Sequence, residues 1–216
     1  MAFVDNGSII PSTVSVSDPI VITVNRDVEP GEVAVLFITN DGSNVSVSGV
    51  TDSSSNSWTV YQFGNTAGRA AIAYALIETQ LDNASDTISV NMSSGHRTIV
   101  RGAGYSGLTA VRDSEASKAA EEAAYSLSWT ATDDGMAFVV FGFPVDYAFG
   151  DDDITGWEQE FVTDDLTGLQ SQQVFRRDEA AGSVSCSNTA PTVYYLAAGI
   201  LLPYLAAGHG QAVVVL

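Results

Sequence analysis

Glu158 and Glu160 are the residues whose type and spacing come closest to a catalytic arrangement. Alternate residues of a β-strand point to the same side, and two carboxylates that face each other across a cleft can hydrolyse a glycosidic bond. Glycosidases that use a strand in this way also carry an Asp between the two acids and another Glu behind them, and both are missing here. We therefore expect no catalytic residues and interpret the chain as a protein without enzyme activity.

The segment Gly102-Ala-Gly104-Tyr-Ser-Gly107 has the glycine spacing of a dinucleotide-binding turn. Such a turn must end a strand and begin a helix, and the residues from Tyr105 to Val111 have no helical pattern. Glycines at close strand crossings explain the segment better, so no cofactor is expected. The two histidines, His96 and His209, lie beside glycines in turn-like sequence and form no ligand pair for zinc.

Asp151, Asp152 and Asp153 are the candidates for a metal site, because their carboxylates could supply oxygen ligands to calcium. Their spacing differs from that of a calcium-binding loop, in which the ligands alternate with other residues. We favour a solvated acidic loop, and no metal is expected.

The loop before these aspartates carries three candidate interface residues, Pro144, Tyr147 and Phe149. Pro144 stops ladder pairing after a buried strand, and apolar side chains on the rim of a loop indicate a contact surface. The alternative is that the loop folds back and covers the end of the fold.

Charge excludes some partners. The chain of 216 residues has 26 acidic and 8 basic residues and a formal net charge of -18, which repels nucleic acids and anionic membranes. Asp outnumbers Glu by 17 to 9, and Lys118 is the single lysine. This balance is typical of proteins that stay soluble in concentrated salt, as in a halophilic host, and an ordinary acidic surface is the alternative.

We expect neither a signal peptide nor a membrane span. The first residues lack a basic region followed by an apolar core, so the chain is predicted to be made in the host cytoplasm. The uncharged stretch from Val193 to Gly208 is interrupted by Gly199 and Pro203, whereas a bilayer requires about 20 unbroken apolar residues. Buried strands are favoured there.

Period-2 patterns and buried apolar runs predict about a dozen strands and minimal helix. They indicate an all-β fold, an antiparallel β-sandwich of jelly-roll type that forms a single domain over residues 1–216. The segment from Ser114 to Ala124 is the exception, because its Ala and Glu residues favour a helical turn or two, or else a flexible crossover loop.

The strand pattern recurs across that segment and suggests pseudo-repeated halves, at about residues 12–113 and 121–216. Gly31 to Phe37 aligns with Gly135 to Phe141, and Trp58 aligns with Trp157. Chance similarity among short strands is the alternative explanation. If the halves are real, we expect them to interleave in one sandwich.

The residues around the first tryptophan carry a resemblance to a known group. Four segments resemble a β-sandwich domain that recurs in structural proteins of tailed viruses and prophages, over about residues 12 to 113: Gly31-Glu-Val-Ala-Val-Leu-Phe37, Val50-Thr-Asp-Ser-Ser-Ser-Asn-Ser-Trp58-Thr59, Ala73-Tyr-Ala75 and Tyr105-Ser-Gly-Leu108. Ser55 stands where that pattern has Gly. Asp52, Asn56, Trp58 and Trp157 are interpreted as residues of turns and core.

The resemblance implies a virion protein, a capsid decoration or accessory protein that docks on the major capsid protein or another virion protein. A homo-oligomer on the capsid surface is expected, with a trimer favoured. The alternative is a carbohydrate-binding or adhesin-type module that presents Trp58, Trp129 or Trp157 to sugar rings. We interpret all three tryptophans as core residues, since each lies in or beside a predicted strand.

Overall fold

The computed structural model describes residues 3–42, 45–65, 68–143, 154–164 and 171–205. In these ranges the protein is all-β, with thirteen antiparallel strands and no helix, which confirms the predicted fold class. The strands are β1 (Val4–Ser15), β2 (Ile20–Thr23), β3 (Val33–Asn40), β4 (Val47–Asp52), β5 (Thr59–Asn65), β6 (Gly68–Leu76), β7 (Thr87–Met92), β8 (Thr98–Ser106), β9 (Ser114–Ala131), β10 (Gly135–Phe143), β11 (Glu158–Asp164), β12 (Ser171–Glu179) and β13 (Gly182–Pro203).

The strands form three sheets. The N-terminal sheet has the order β1-β8-β3-β6-β5, the small sheet β2-β7-β4, and the C-terminal sheet β11-β12-β10-β13-β9. Each sheet takes its strands from one half of the chain, so the expected interleaving of the halves is wrong for the described residues. The jelly-roll assignment stays a prediction.

The N-terminal sheet is the middle layer, and this explains why β3 is a continuous apolar run. All eight residues of β3 are buried. Ala34, Leu36 and Ile38 pack against the small sheet, whereas Val33, Val35 and Phe37 pack against the C-terminal sheet. A strand that is covered on both faces needs no alternation of apolar and polar residues.

The long strands β9 and β13 fold back over the outer face of their own sheet. Their pairing runs from Ala131 opposite Gly182 to Ser114 opposite Leu201. Trp129 nevertheless donates its indole N–H to the hydroxyl of Ser114 at 3.1 Å. Fifteen residues of straight strand would separate the two by roughly 50 Å. β9 therefore bends. The C-terminal part of β9 and the N-terminal part of β13 form the second layer of the C-terminal half.

The helical or loop structure predicted for Ser114 to Ala124 is wrong, because the whole segment lies within β9. Its residues pair with β13 almost without interruption; one register shift lies between Thr189 and Val193. Intrinsic helix preference is a weak determinant, and a long partner strand overrides it here.

The two five-stranded sheets have the same strand order when β1, β8, β3, β6 and β5 are matched with β9, β13, β10, β12 and β11. Gly102 opposite Leu36 and Gly199 opposite Val139 occupy matching places, each facing the interior of its own half. The alignment made from the sequence pairs Leu36 with Val140 and is displaced by one residue. In a strand, such a slip exchanges the two faces.

Candidate interaction surface

Glu158 and Glu160 bind one arginine. Arg176 on β12 lies 2.7 Å from Glu158 and 2.9 Å from Glu160 between charged atoms, and its Nη1 is also 2.7 Å from Asp5 Oδ2 on β1. The side chains of Arg176 and Glu160 are only 8% and 7% exposed. Both carboxylates are engaged by one guanidinium, and the cluster ties the N-terminal strand to the C-terminal sheet.

Aromatic rings surround this cluster. Phe3 and Tyr105 lie 5.8 and 5.7 Å from the guanidinium carbon of Arg176. Burial raises the pKa of Glu160 from 4.5 to about 7, although the charge of Arg176 opposes that shift. Burial also raises the pKa of Tyr105, and the carboxylate of Glu160 adds to the effect. The arrangement suits a structural joint between the halves.

Asp52 organises the turn between β4 and β5. Its carboxylate accepts the backbone N–H groups of Ser54 and Asn56 at 2.9 and 3.1 Å and the indole N–H of Trp58 at 2.7 Å. Ser55 has a φ of 64°, the left-handed conformation in which glycine is commonest. The pattern of the viral domain has Gly at this position, and the turn forms here with Ser55 instead.

Asn56 connects this turn to the end of β6. Its side-chain oxygen accepts the backbone N–H groups of Glu78 and Thr79, both at 2.9 Å. Its amide nitrogen donates to the carbonyl of Thr79 at 2.9 Å. Since the residue is buried, these bonds satisfy polar groups that water cannot reach.

The three tryptophans lie inside the fold or against it. Trp129 and Trp157 are 9% and 7% exposed, and Trp58 is partly buried against the first core cluster. Each indole N–H is bonded within the chain, to Ser114, to the carbonyl of Ser185 and to Asp52 respectively. None of the three rings forms the exposed platform that a sugar-binding module would require.

Several predicted site residues lie outside the described residues: Pro144, Tyr147, Phe149, Asp151, Asp152, Asp153 and His209. Among the residues that are described, no three His, Cys, Asp or Glu side chains are grouped so that they could hold a metal ion. The described part of the chain also has no helix long and apolar enough to cross a membrane. His96 lies in an exposed turn, with Nδ1 3.6 Å from Asp41.

The outer face of the small sheet is uncharged. Its three strands contain one charged residue, Asp52, which is used in the turn described above. Val21, Ser89 and Thr51 form one row across the sheet, and Thr23 pairs with Thr87. Their neighbours on the strands, among them Ile22, Ile88 and Val50, point into the core.

Val21 is the exposed apolar residue of this face, with 58% of its surface accessible. From Asn6 to Asn25 the only charged residue is Asp18, whose carboxylate accepts the backbone N–H of Met92 at 2.9 Å. We call the outward side chains of the small sheet, with Val21 among them, the neutral surface. No sequence motif marked it, although the scarcity of charge from Asn6 to Asn25 is a signal that could have found it.

The opposite edge of the small sheet is closed by side chains. Gln62 on β5 accepts the backbone N–H of Val47 at 2.9 Å and donates to its carbonyl at 3.0 Å. Arg69 donates to the carbonyl of Val45 at 2.7 Å. Val111, another exposed valine, lies on that side of the N-terminal half, beside a cavity of about 440 Å³. Side chains of the same chain therefore cover the β4 edge of the small sheet more fully than the β2 edge.

No protein-family model matches this chain, and no curated protein matches it.

Proposed function

We propose that this protein is a non-enzymatic structural protein of a virus particle, a decoration or accessory protein that docks on the major capsid protein or another virion protein. The neutral surface carries the proposal. On a chain with a formal net charge of -18, an uncharged face with an exposed valine is suited to contact with another protein. The cores of protein interfaces are depleted in charge in the same way.

The position of the neutral surface also supports this function. It lies within residues 21–91, inside the stretch of about residues 12 to 113 that resembles the viral β-sandwich domain. The carboxylates that suggested hydrolysis are bound to Arg176 and join the two halves. Both observations fit a protein that works by assembling, with its acidic surfaces toward solvent.

Co-sedimentation tests the proposal directly. Empty shells of the major capsid protein from the virus that encodes this chain are mixed with the purified protein and centrifuged through a density gradient. We expect the protein to move with the shells in a fixed ratio to the coat subunits. A protein that stays at the top of the gradient at every concentration would contradict docking on that coat protein.

A glycan titration separates this function from a carbohydrate-binding module. The buried and hydrogen-bonded indoles of Trp129 and Trp157 predict blue-shifted tryptophan emission. We expect this emission to remain unchanged when oligosaccharides are added. Red-shifted emission that a glycan quenches would favour the module instead.

We also propose that the acidic surface is adapted to concentrated salt. Charge repulsion reaches only about 3 Å at 1 M salt, so self-repulsion should be relieved there. We expect the melting temperature to rise by several degrees between low and molar sodium chloride. An unchanged melting temperature would indicate an ordinary acidic surface.

A further inference from the structure

We propose that the first residues of β1 form a strap that opens as the pH rises, because Arg176 and the carboxylates around it hold the strap closed only while one carboxylate carries a proton. We call Phe3 to Asn6 the N-terminal strap. Its opening uncovers the ring of Tyr105, which is fully buried, and the adjoining edge of β8. The inference goes beyond the proposed function, since it concerns the motion of one segment and requires no partner.

A bulge at Gly7 separates the strap from the rest of β1. The pairing of β1 with β8 changes register between Asp5 and Ser8, and Gly7 has a φ of 86°, which glycine adopts freely. Nothing lies within 4 Å of a Cβ built on Gly7. Beyond the bulge, Ile9 and Ile10 are fully buried and fix the strand in the core. The strap can therefore move about Gly7 while the rest of β1 stays in place.

Arg176 is the main anchor of the strap. Oδ2 of Asp5 lies 2.7 Å from Nη1 of Arg176, and the ring centroid of Phe3 lies 5.8 Å from the guanidinium carbon. Asn6 adds a neutral hydrogen bond, in which its amide N–H donates to the hydroxyl of Ser106 at 2.8 Å. A neutral hydrogen bond contributes less than a bond between charged groups, so the contacts of Arg176 decide how firmly the strap is held.

Asp5 and Glu160 compete for the same nitrogen atom. Nη1 of Arg176 lies 2.9 Å from Oε2 of Glu160 as well as 2.7 Å from Asp5, whereas Glu158 contacts Nη2. Three carboxylates thus surround one guanidinium, and we call these four residues the Arg176 cluster. Two carboxylates that share one site repel each other when both are ionised, so one of them tends to hold a proton. Glu160 is the better holder, since its side chain is 7% exposed and that of Asp5 is 32% exposed.

The direction of the pH effect follows from the groups that face Glu160: Asp5 on β1, Tyr105 on β8, Glu158 on β11 and Arg176 on β12. Burial raises the pKa of Glu160 from 4.5 to about 7, the charge of Arg176 opposes this rise, and the charge of Asp5 adds to it. When the strap opens, Asp5 moves away and water reaches Glu160, so the pKa is lower in the open form. The proton therefore stabilises the closed form, and this stabilisation is lost as the pH rises through 7.

Amide hydrogen exchange followed by mass spectrometry tests the inference, with rates corrected for their intrinsic dependence on pH. We expect the protection of the strap to fall about tenfold between about pH 5 and pH 8, as one unit of difference in pKa between the two forms requires. Dilute urea should leave this exchange unchanged, because the opening of a short segment exposes little surface, whereas it should speed the exchange of β3. Equal protection at both pH values, or strap exchange that follows that of β3 in urea, would overturn the inference.

Three variants connect the effect to the Arg176 cluster. Glu160→Gln should keep the strap protected at both pH values, because the amide cannot become charged. Glu158→Gln is the matched control, since Glu158 is 67% exposed and contacts Nη2, and it should keep the pH dependence. Asp5→Asn removes the charged anchor and should lower the protection about tenfold at both pH values, a result that does not depend on the folding of Glu160→Gln. A pH dependence that persists in Glu160→Gln or disappears in Glu158→Gln, or a protected strap in Asp5→Asn, would contradict the proposal.

Discussion

The two halves of this molecule use the same order of five strands and complete it in different ways. The N-terminal half adds the small sheet, built from β2, β4 and β7, as a separate layer. The C-terminal half bends β9 and β13 so that these two strands continue from the five-stranded sheet and also form its second layer. A separate layer brings its own outer face and edges, and in this protein that layer carries the neutral surface. Two halves with the same order of strands can thus present different surfaces to partners.

The largest effect is expected where the halves are joined. Arg176→Met removes the guanidinium shared by Asp5, Glu158 and Glu160 and leaves three carboxylates close together. Loss of one partner from a buried ion pair costs about 3 to 5 kcal/mol, and the exposure of Glu158 favours the lower figure. Urea denaturation of the variant should show this loss in the free energy of unfolding.

Arg177→Met is the control for that variant. Arg177 is the next residue of β12, but it pairs with Glu179 and lies 4.6 Å from the ring of Trp157, so its contacts stay within the C-terminal half. A partly exposed pair of this kind contributes about 1 kcal/mol or less. Equal losses for the two arginines would show that the joint has no special role.

The same joint should respond to pH. Folding raises the pKa of Glu160 from 4.5 to about 7, so the protonated form is favoured in the folded protein. The stabilisation is complete below pH 4.5 and is lost as the pH rises through 7. Between these values the free energy of unfolding should fall by roughly 2 to 3 kcal/mol.

Glu160→Gln should remove most of this slope, because the amide cannot lose a proton. Urea denaturation of both proteins at several pH values measures it. Asp86 and Asp113, whose pKa values are lowered, contribute stability that is lost only at lower pH. Parallel slopes for the two proteins would mean that Glu160 titrates normally.

Gly102 and Gly199 occupy matching places in the two five-stranded sheets, so substitutions there compare the packing inside the two halves. A Cβ at Gly199 would lie 2.8 Å from Leu127 and 3.1 Å from the rigid ring of Trp129, whereas one at Gly102 would lie 2.6 Å from the flexible end of Leu36. We expect Gly199→Ala to cost about 1 to 3 kcal/mol and Gly102→Ala to cost less. Thermal unfolding of both variants measures the difference.

Gly49→Ala provides the reference for these glycines, since nothing lies within 4 Å of its added Cβ. It should change the free energy of unfolding by less than about 0.5 kcal/mol. A larger cost at Gly102 than at Gly199 would indicate that the folded-back layer adapts more readily than the N-terminal interior.

The smallest effect is expected at the first tryptophan turn. Ser55→Gly relieves a φ of 64°, which glycine adopts without a steric penalty. The gain is offset in part by the greater freedom of glycine in the unfolded chain, so we expect a stabilisation of at most about 1 kcal/mol. Ser54→Gly, at a neighbouring position without this φ, should destabilise the protein slightly in the same thermal melt.

The strands that are buried on both faces were predictable from the sequence, because burial itself produces their long apolar runs. β3 and β10 are of this kind. β1 was missed, since its Gly7 and Pro11 interrupt any regular pattern and its pairing with β8 is irregular. The first part of β9, from Ser114 to Ala124, was misread because its partner strand lies far away along the chain, whereas Tyr125 to Thr130 was predicted as a strand.

The Arg176 cluster and the neutral surface were still harder to predict from the sequence than the strands. Glu158 and Glu160 were recognisable as a pair, but Arg176 and Asp5 come from distant positions that no local spacing connects. The neutral surface consists of ordinary Val, Ser and Thr residues. These residues become recognisable as one surface only when the sheet places them on one face of a strongly acidic protein.

The bent strands also determine when each half can fold during synthesis. β8 ends at Ser106, so both sheets of the N-terminal half are complete before β9 has been made. The C-terminal half must wait, because Ser114 finds its partner only at Leu201. Contacts that are distant along the chain form slowly. On the ribosome, all strands of the first half can therefore pair before the second half has its partners.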